Sequence, residues 1–286
     1  MFCTTPEYEE RDEEVLRVIQ ARILGPFDVR MHDRPVLPAA RKPKQVLAVL
    51  LLNANRVVST ATLMKELWGE DKPKTATAAL QTYILQVRKL IQKALVAHGA
   101  SPKGAKQILT TKENGYGLMT DSADIDLERF TALVAQGRSA FTAEDWDTAA
   151  RRLRAALGQW TGEPLLDVAA GPVLEVEIRR LEEARLTALE LRIEMDMRLG
   201  RHHALLSELT ALSETHTLNE HLHAQFMLAL HRAGRRSQAL EVFQRLRRSF
   251  IDELGLEPSP ELYRLHQLIL TADPELHYVP PGLHHV

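Results

Sequence analysis

The sequence predicts an α+β amino-terminal domain followed by an all-α domain of repeated helix pairs, and three observations predict it. The charge changes sign near Thr120: residues 15–120 carry 17 Lys+Arg against 6 Asp+Glu, a net of +11, whereas residues 121–286 carry 18 Arg against 26 Asp+Glu, a net of −8. The apolar pattern changes at the same place, from short runs, three helical stripes and a hairpin signal to helical spacing throughout. Finally, Gly200-Arg201 and Gly234-Arg235 stand 34 residues apart, each preceded by a helical stretch and followed by another. The expected division is an acidic tail over 1–16, a basic domain over 17–120, a helical domain over 121–272 and a tail over 273–286.

Composition narrows the function classes. Apolar residues make up 45% of 286, enough to build two cores. No apolar run reaches the ~18 residues of a membrane span, and Met1 to Glu14 is acidic rather than a basic leader. A cytoplasmic protein without a membrane partner is expected. Cys3, the single cysteine, supports neither an internal disulfide nor a thiolate metal cluster. A basic module joined to an acidic one points to a polyanion partner for the first, and all ten lysines lie at or before Lys112.

In the basic domain Arg17 to Leu24, Phe27 to Met31 and Pro35 to Leu37 read as strands, broken by Gly25-Pro26 and by the turn His32-Asp33-Arg34. From Pro43 the spacing becomes helical through Val46, Leu47, Leu50 and Leu51, and Asn53-Ala54-Asn55 ends the run. Val57-Val58 is a brief extended link. Ser59 can cap a second helix ending at Trp68-Gly69, and Thr75 a third and longer one. On this third helix Ala76, Leu80, Ile84, Val87 and Ile91 form one stripe, which leaves Gln81, Thr82, Leu85, Gln86 and Lys89 on or beside the far side. A loop, Ala97 to Gln107, leads to two strands, Ile108 to Lys112 and Tyr116 to Met119, around the hairpin signal Asn114-Gly115.

Beyond Ile125 the reading is helix and short connection. Asp126 can cap a helix with Ile125 and Phe130 as its staple, and Thr142 followed by Asp145 opens the next. Pro172 suits a first turn, Gly200, Gly234 and Gly255 suit helix ends, and Thr217-Leu218-Asn219-Glu220 reads as a capping box. Ser259-Pro260-Glu261 starts the last helix. Ala149-Ala150 and Ala239-Leu240 put small residues where paired helices approach closely, and the 34-residue period is that of tetratricopeptide units.

An α-helix fits the major groove, so the third helix is the element that can read sequence. Gln81, Thr82, Gln86 and Lys89 can reach base edges or adjacent phosphates, and Arg88, at the border of that face, can bond a guanine or a phosphate. An exposed Leu85 either packs on a thymine methyl or touches a neighbouring molecule. Arg41, Lys42 and Lys44 before or in the first helix, with Thr75 and Thr77 at the start of the third, are candidates for phosphate contacts, which position without specifying sequence. At the wing Lys112, Asn114 and Tyr116 flank the hairpin tip, and Tyr116 can equally pack on the sheet.

Catalytic readings fail on the residues. The stretch Gly-x-x-x-x-Gly-Lys followed by Ser or Thr, which cradles nucleotide phosphates, is absent. His221 and His223 point about 200° apart on a helix. His202-His203 and His284-His285 lack partners at metal-ligand spacing, so neither cofactor nor metal is expected.

Strands, three helices and a final hairpin, in this order, give the layout of a winged helix-turn-helix of the OmpR/PhoB-like output type, followed here by a tetratricopeptide-like repeat. Leu24-Gly25-Pro26, Leu67-Trp68-Gly69, Thr82 to Arg88, Gly115 to Leu118, Met227 to Leu230 and Glu253 to Pro258 resemble the Streptomyces antibiotic regulatory protein family of transcriptional activators, whose second half is the bacterial transcriptional activator domain. The likeness spans roughly residues 17–272, with two departures: Arg34 stands at a hairpin position where glycine is usual in the family, and the loop Ala97 to Gln107 is longer than typical. It implies a non-enzymatic activator whose protomers sit side by side on direct repeats in promoter DNA and contact RNA polymerase holoenzyme, sigma factor included. It implies secondary-metabolite genes as targets and places Trp68 against the sugar-phosphate backbone, where the residues alone equally allow a core tryptophan. A repressor of the same fold would carry the same helix. An adaptor whose basic domain only tethers it would bind DNA without sequence preference.

Overall fold

The computed structural model describes residues 19–121, 124–273 and 276. The tail expected over 1–16, the strand residues Arg17 and Val18, and residues 277–286 of the expected C-terminal tail lie outside them. Six strands and eleven helices form among the described residues. The described residues pack as two compact units, one of residues up to 134 with 155–185 and one of residues 135–154 with those from 186 onward. The packing boundary and the charge boundary near Thr120 are therefore different.

Unit one opens with an antiparallel sheet of β1 (Ile19–Arg22), β2 (Asp28–Met31) and β3 (Arg34–Pro35), in register Ile19 with Met31 and Met31 with Arg34. His32 and Asp33 take the positive φ of the hairpin turn, 48° and 63°, so Arg34 needs no glycine-like backbone. Helix α1 (Arg41–Leu52) buries Val46 through Leu51 and is the centre of the core. Strand β4 (Val57–Ser59) leads to α2 (Thr60–Trp68), where Ser59 Oγ accepts the Thr62 amide at 3.0 Å. Helix α3 (Ala76–Ala97) follows; Thr75 stands at its N-cap position, but its side chain makes no capping bond. The expected loop before the wing holds a 3-10 turn (Pro102–Gly104) and the short helix α4 (Ala105–Ile108).

Strands β5 (Leu109–Lys112) and β6 (Gly115–Leu118) complete a second sheet of order β4-β6-β5. The hairpin forms where expected, but its two turn residues are Glu113 and Asn114, because Lys112 pairs with Gly115. Gly115 serves the sheet instead: opposite Ser59 in register, it lies so close that a Cβ would overlap the Val58 carbonyl.

Residues far along the chain complete this unit. The amides of Thr161 and Leu165 donate to the Leu24 and Ile23 carbonyls at 2.8 and 2.9 Å, and the Asp167 carboxylate accepts the Phe27 amide at 2.7 Å. Asp126, at the start of α5 (Asp126–Thr142), accepts the amides of Ile23, Leu24 and Leu127 at 2.8–3.0 Å, which combines the expected helix start with an anchor to the residues that follow β1. Glu66 does the same for α7 (Pro172–Arg198): its carboxylate accepts the amides of Gly171, Val173 and Leu174 at 2.6, 3.0 and 2.9 Å. A helix of the amino-terminal fold thus supplies the cap of a helix a hundred residues later. Burial pushes both carboxyls above their ordinary range, against the pull of those amides.

In unit two, α5 and α6 (Trp146–Leu157) approach closely where Gly137 faces Leu153, and Ala149 and Ala150 are fully buried. The cap of α6 is Asp145, which accepts the Thr148 amide at 3.0 Å; Thr142, expected to open that helix, bonds back to Arg138 in the helix before it. Helices α8 (His202–Thr215), α9 (Glu220–Arg232), α10 (Arg236–Leu254) and α11 (Pro260–Thr271) then pack in sequence around Leu209, Phe226, Leu230, Ala239, Phe243 and Ile269. Gly200, Gly234 and Gly255 take positive φ at helix ends, the first two 34 residues apart as the repeat requires. The expected capping box shifts: Asn219 caps α9 by accepting the Leu222 amide, while Glu220 reaches Ser259 at the start of α11.

Candidate nucleic-acid interface

Helix α3 is fixed by one face and open on the other. Ala76, Leu80, Ile84, Val87, Ile91, Ala94 and Leu95 are buried. Thr77, Gln81, Thr82, Leu85, Gln86 and Lys89 are exposed along one continuous strip. Gly69, with φ 58°, ends α2 and turns the chain toward α3.

The strip is chemically specific. Gln81 and Gln86 present amides, Lys89 a cation, and Leu85 an apolar side chain that is 54% exposed. The Thr82 hydroxyl donates to the Ala78 carbonyl at 2.9 Å, which leaves its oxygen to accept. Arg88, at the border, is engaged elsewhere: its guanidinium donates to the Leu109 carbonyl at 3.0 and 2.7 Å and to Thr111 Oγ1 at 2.7 Å. Its side chain ties α3 to β5, and burial lowers its pKa, which for an arginine leaves it charged.

Other candidates divide in the same way. Arg41 is exposed at the start of α1 and Thr75 is exposed before α3. Lys42 Nζ lies 4.7 Å from the Trp68 ring centroid, and Tyr83 flanks that half-buried indole at 6.4 Å, so Trp68 is neither a core residue nor fully open. Lys44 pairs with Asp167 at 3.0 Å, which neutralises part of its charge. At the hairpin Lys112 and Asn114 are exposed, while Tyr116 is 9% exposed and packs within the sheet. The Asn114 carbonyl accepts the Thr60 amide at 2.9 Å, which fixes the tip against the start of α2. Lys72 and Lys74, absent from the candidate set, stand exposed in the turn immediately before α3. Two lysines within three residues, in a domain with an excess of positive charge, are the sequence signal that marks them.

Among the described residues no group of three His, Cys, Asp or Glu side chains could hold a metal, and no helix is long and apolar enough to cross a membrane.

Comparisons with known proteins agree with this layout. Residues 35–118 match the family "Transcriptional regulatory protein, C terminal", and residues 125–270 match "Bacterial transcriptional activator domain". The chain is 48% identical to regulatory protein DnrI of Streptomyces peucetius over 90% of its own length and 93% of that protein. It is 36% identical to regulatory protein AfsR of Streptomyces griseus, over 89% of this chain and 25% of that longer protein. Among solved structures, Mycobacterium tuberculosis EmbR, in complex with a low-affinity phosphopeptide, superposes with a TM-score of 0.82 at 32% identity, over 90% of this chain and 66% of that one. With both domains matched in order and a relative alike over nearly its whole length, the chain belongs to the Streptomyces antibiotic regulatory protein family of transcriptional activators, which are regulators and not enzymes.

Proposed function

We propose that this protein is a sequence-specific DNA-binding activator that lays the open face of α3 in the major groove of promoter DNA. The observation that carries the reading is the exposed strip of Gln81, Thr82, Leu85, Gln86 and Lys89 on a helix held rigidly by its opposite face. Arg41, Lys42, Lys72, Lys74, Thr75 and Thr77 surround this strip in sequence and supply phosphate contacts, with Trp68 against the sugar-phosphate backbone. Lys112 and Asn114 at the hairpin tip follow the neighbouring minor groove. Arg88 holds the wing in place, Lys44 holds the segment around Asp167, and Tyr116 supports the sheet. Two protomers bind direct repeats side by side and recruit RNA polymerase holoenzyme through its sigma factor, and the family to which the chain belongs makes antibiotic and other secondary-metabolite genes the targets. Direct repeats require a head-to-tail arrangement rather than a two-fold dimer.

The test is selection of binding sites from random duplexes with the full chain, followed by DNase footprinting on the enriched sequence at several salt concentrations. A discrete footprint over two repeats is expected, with log affinity falling by roughly 0.9 per phosphate contact for each tenfold rise in salt. Salt-sensitive binding with no enriched sequence would reduce the basic unit to a tether.

A further inference from the structure

We propose, resting on the reading that α3 enters the major groove, that Leu85 determines sequence by packing on the C5 methyl group of a thymine, and that the α3 face selects A·T pairs. Three features converge. Leu85 is 54% exposed in the middle of a helix whose apolar stripe of Ala76, Leu80, Ile84, Val87 and Ile91 is buried on the opposite face, so it stands ready to lose water against an apolar partner. The major-groove edge of DNA carries one such apolar group, the thymine methyl. The side chains that flank Leu85 one turn back and immediately after it are the amides of Gln81 and Gln86, the groups that bond adenine N6 and N7 together. The third feature is Arg88: the side-chain type best suited to guanine is held by the Leu109 carbonyl and Thr111, turned to the wing strand rather than to the open face. A leucine between two amides, with the arginine withdrawn, matches the methyl and the adenine edge of an A·T pair, and Lys89, one turn further on, is left as the side chain of the strip suited to guanine.

The experiment replaces each thymine of the selected site, one at a time, with deoxyuridine, which removes only the methyl group, and measures affinity for the full chain and for Leu85→Ala. Because Leu85 is exposed, the variant folds, and circular dichroism checks this. For the unaltered chain, one thymine in each repeat is expected to show about fourfold weaker binding on loss of its methyl. For Leu85→Ala the same replacement changes nothing. Binding by the unaltered chain that no deoxyuridine weakens, with the footprint intact, overturns the role of Leu85 and leaves groove binding by α3 standing. Loss of cooperativity between repeats in Leu85→Ala, without a deoxyuridine effect, overturns it in favour of a protein contact. Absence of any selected site overturns both readings.

Discussion

Glu66 in unit one and Asp196 in unit two are carboxylates of equal burial, 2% and 3% exposed, satisfied in opposite ways. Glu66 faces three main-chain amides and the Gln45 side chain, and no cation. Asp196 is surrounded by Arg154, Arg192 and Arg201, at 3.0 to 3.3 Å. The consequence is a difference in sign. Burial drives the Glu66 carboxyl up; burial also opposes the Asp196 charge, but the Arg201 hydrogen bond and the Arg154 and Arg192 charges outweigh it and hold that carboxyl down. The cations of residues 121–286 are all arginines, whose planar forks can share one carboxylate, and several are consumed internally. The lysines lie only in the first 112 residues, and most stand exposed around α3. The first region leaves most of its lysines exposed, and in the second several arginines hold helices together.

The comparison can be broken most strongly at Glu66. Glu66→Ala leaves the amides of Gly171, Val173 and Leu174 without their acceptor, and a loss of about 4 kcal/mol is expected in urea unfolding of the full chain. Hydrogen exchange should quicken first at those three amides. A loss below about 1 kcal/mol would mean that α7 is capped adequately without Glu66. In unit two, Asp196→Asn keeps the shape but removes the charge between three arginines, and a smaller loss of about 2 kcal/mol is expected. An increase in stability would show that the arginines tolerate one another and that the carboxylate contributes nothing net.

Acid sharpens the contrast with a still smaller effect. A carboxyl with a raised folded pKa takes up its proton in the folded state first, so Glu66 and Asp126 favour folding increasingly as pH falls from neutral through their raised values. Groups with depressed pKa behave in the reverse manner. Asp196 stabilises above the ordinary aspartate range and loses that contribution as pH falls through its lowered value. Glu257, held at about 2 by Arg247 and Tyr263 against an ordinary 4.5, does so between those limits. Trp68 and Trp160 lie in unit one and Trp146 in unit two, so fluorescence of Trp146→Phe, and of the complementary double variant Trp68→Phe/Trp160→Phe, reports each unit separately. Between pH 4.5 and 2 the urea midpoint of unit two should fall more steeply than that of unit one. Parallel slopes would contradict the assignment of opposite signs.

Local regularities were legible in the sequence; long-range ones were not. Helical spacing located α1 and α3, Ser59 marked the start of α2, and glycines 34 residues apart marked the helix pairs, because each depends on neighbours within a turn or two. Thr142 and Thr217 misled because Asp145 and Asn219, close by, are also good caps, and spacing alone does not choose between them. The Asn114-Gly115 pair located the hairpin for an incomplete reason, since Gly115 is required by the approach of β4. The anchoring of residues 161–174 on Ile23, Leu24, Phe27 and Glu66 left no trace: main-chain amides bonded across more than a hundred residues have no sequence signature. Gln81, Gln86 and Lys89 were readable as an exposed face from periodicity, whereas Arg88, one position round the helix, was not, because its partner is a strand 21 residues on.

Reading of DNA by the open face of α3 is tested by the footprint on the selected site of Gln81→Ala/Gln86→Ala/Lys89→Ala, beside the unaltered chain at matched thermal stability. All three residues are exposed, so the fold should persist. Loss of the discrete footprint with retention of weak, salt-sensitive binding is the predicted result. An undiminished footprint would place recognition on another surface and contradict the account.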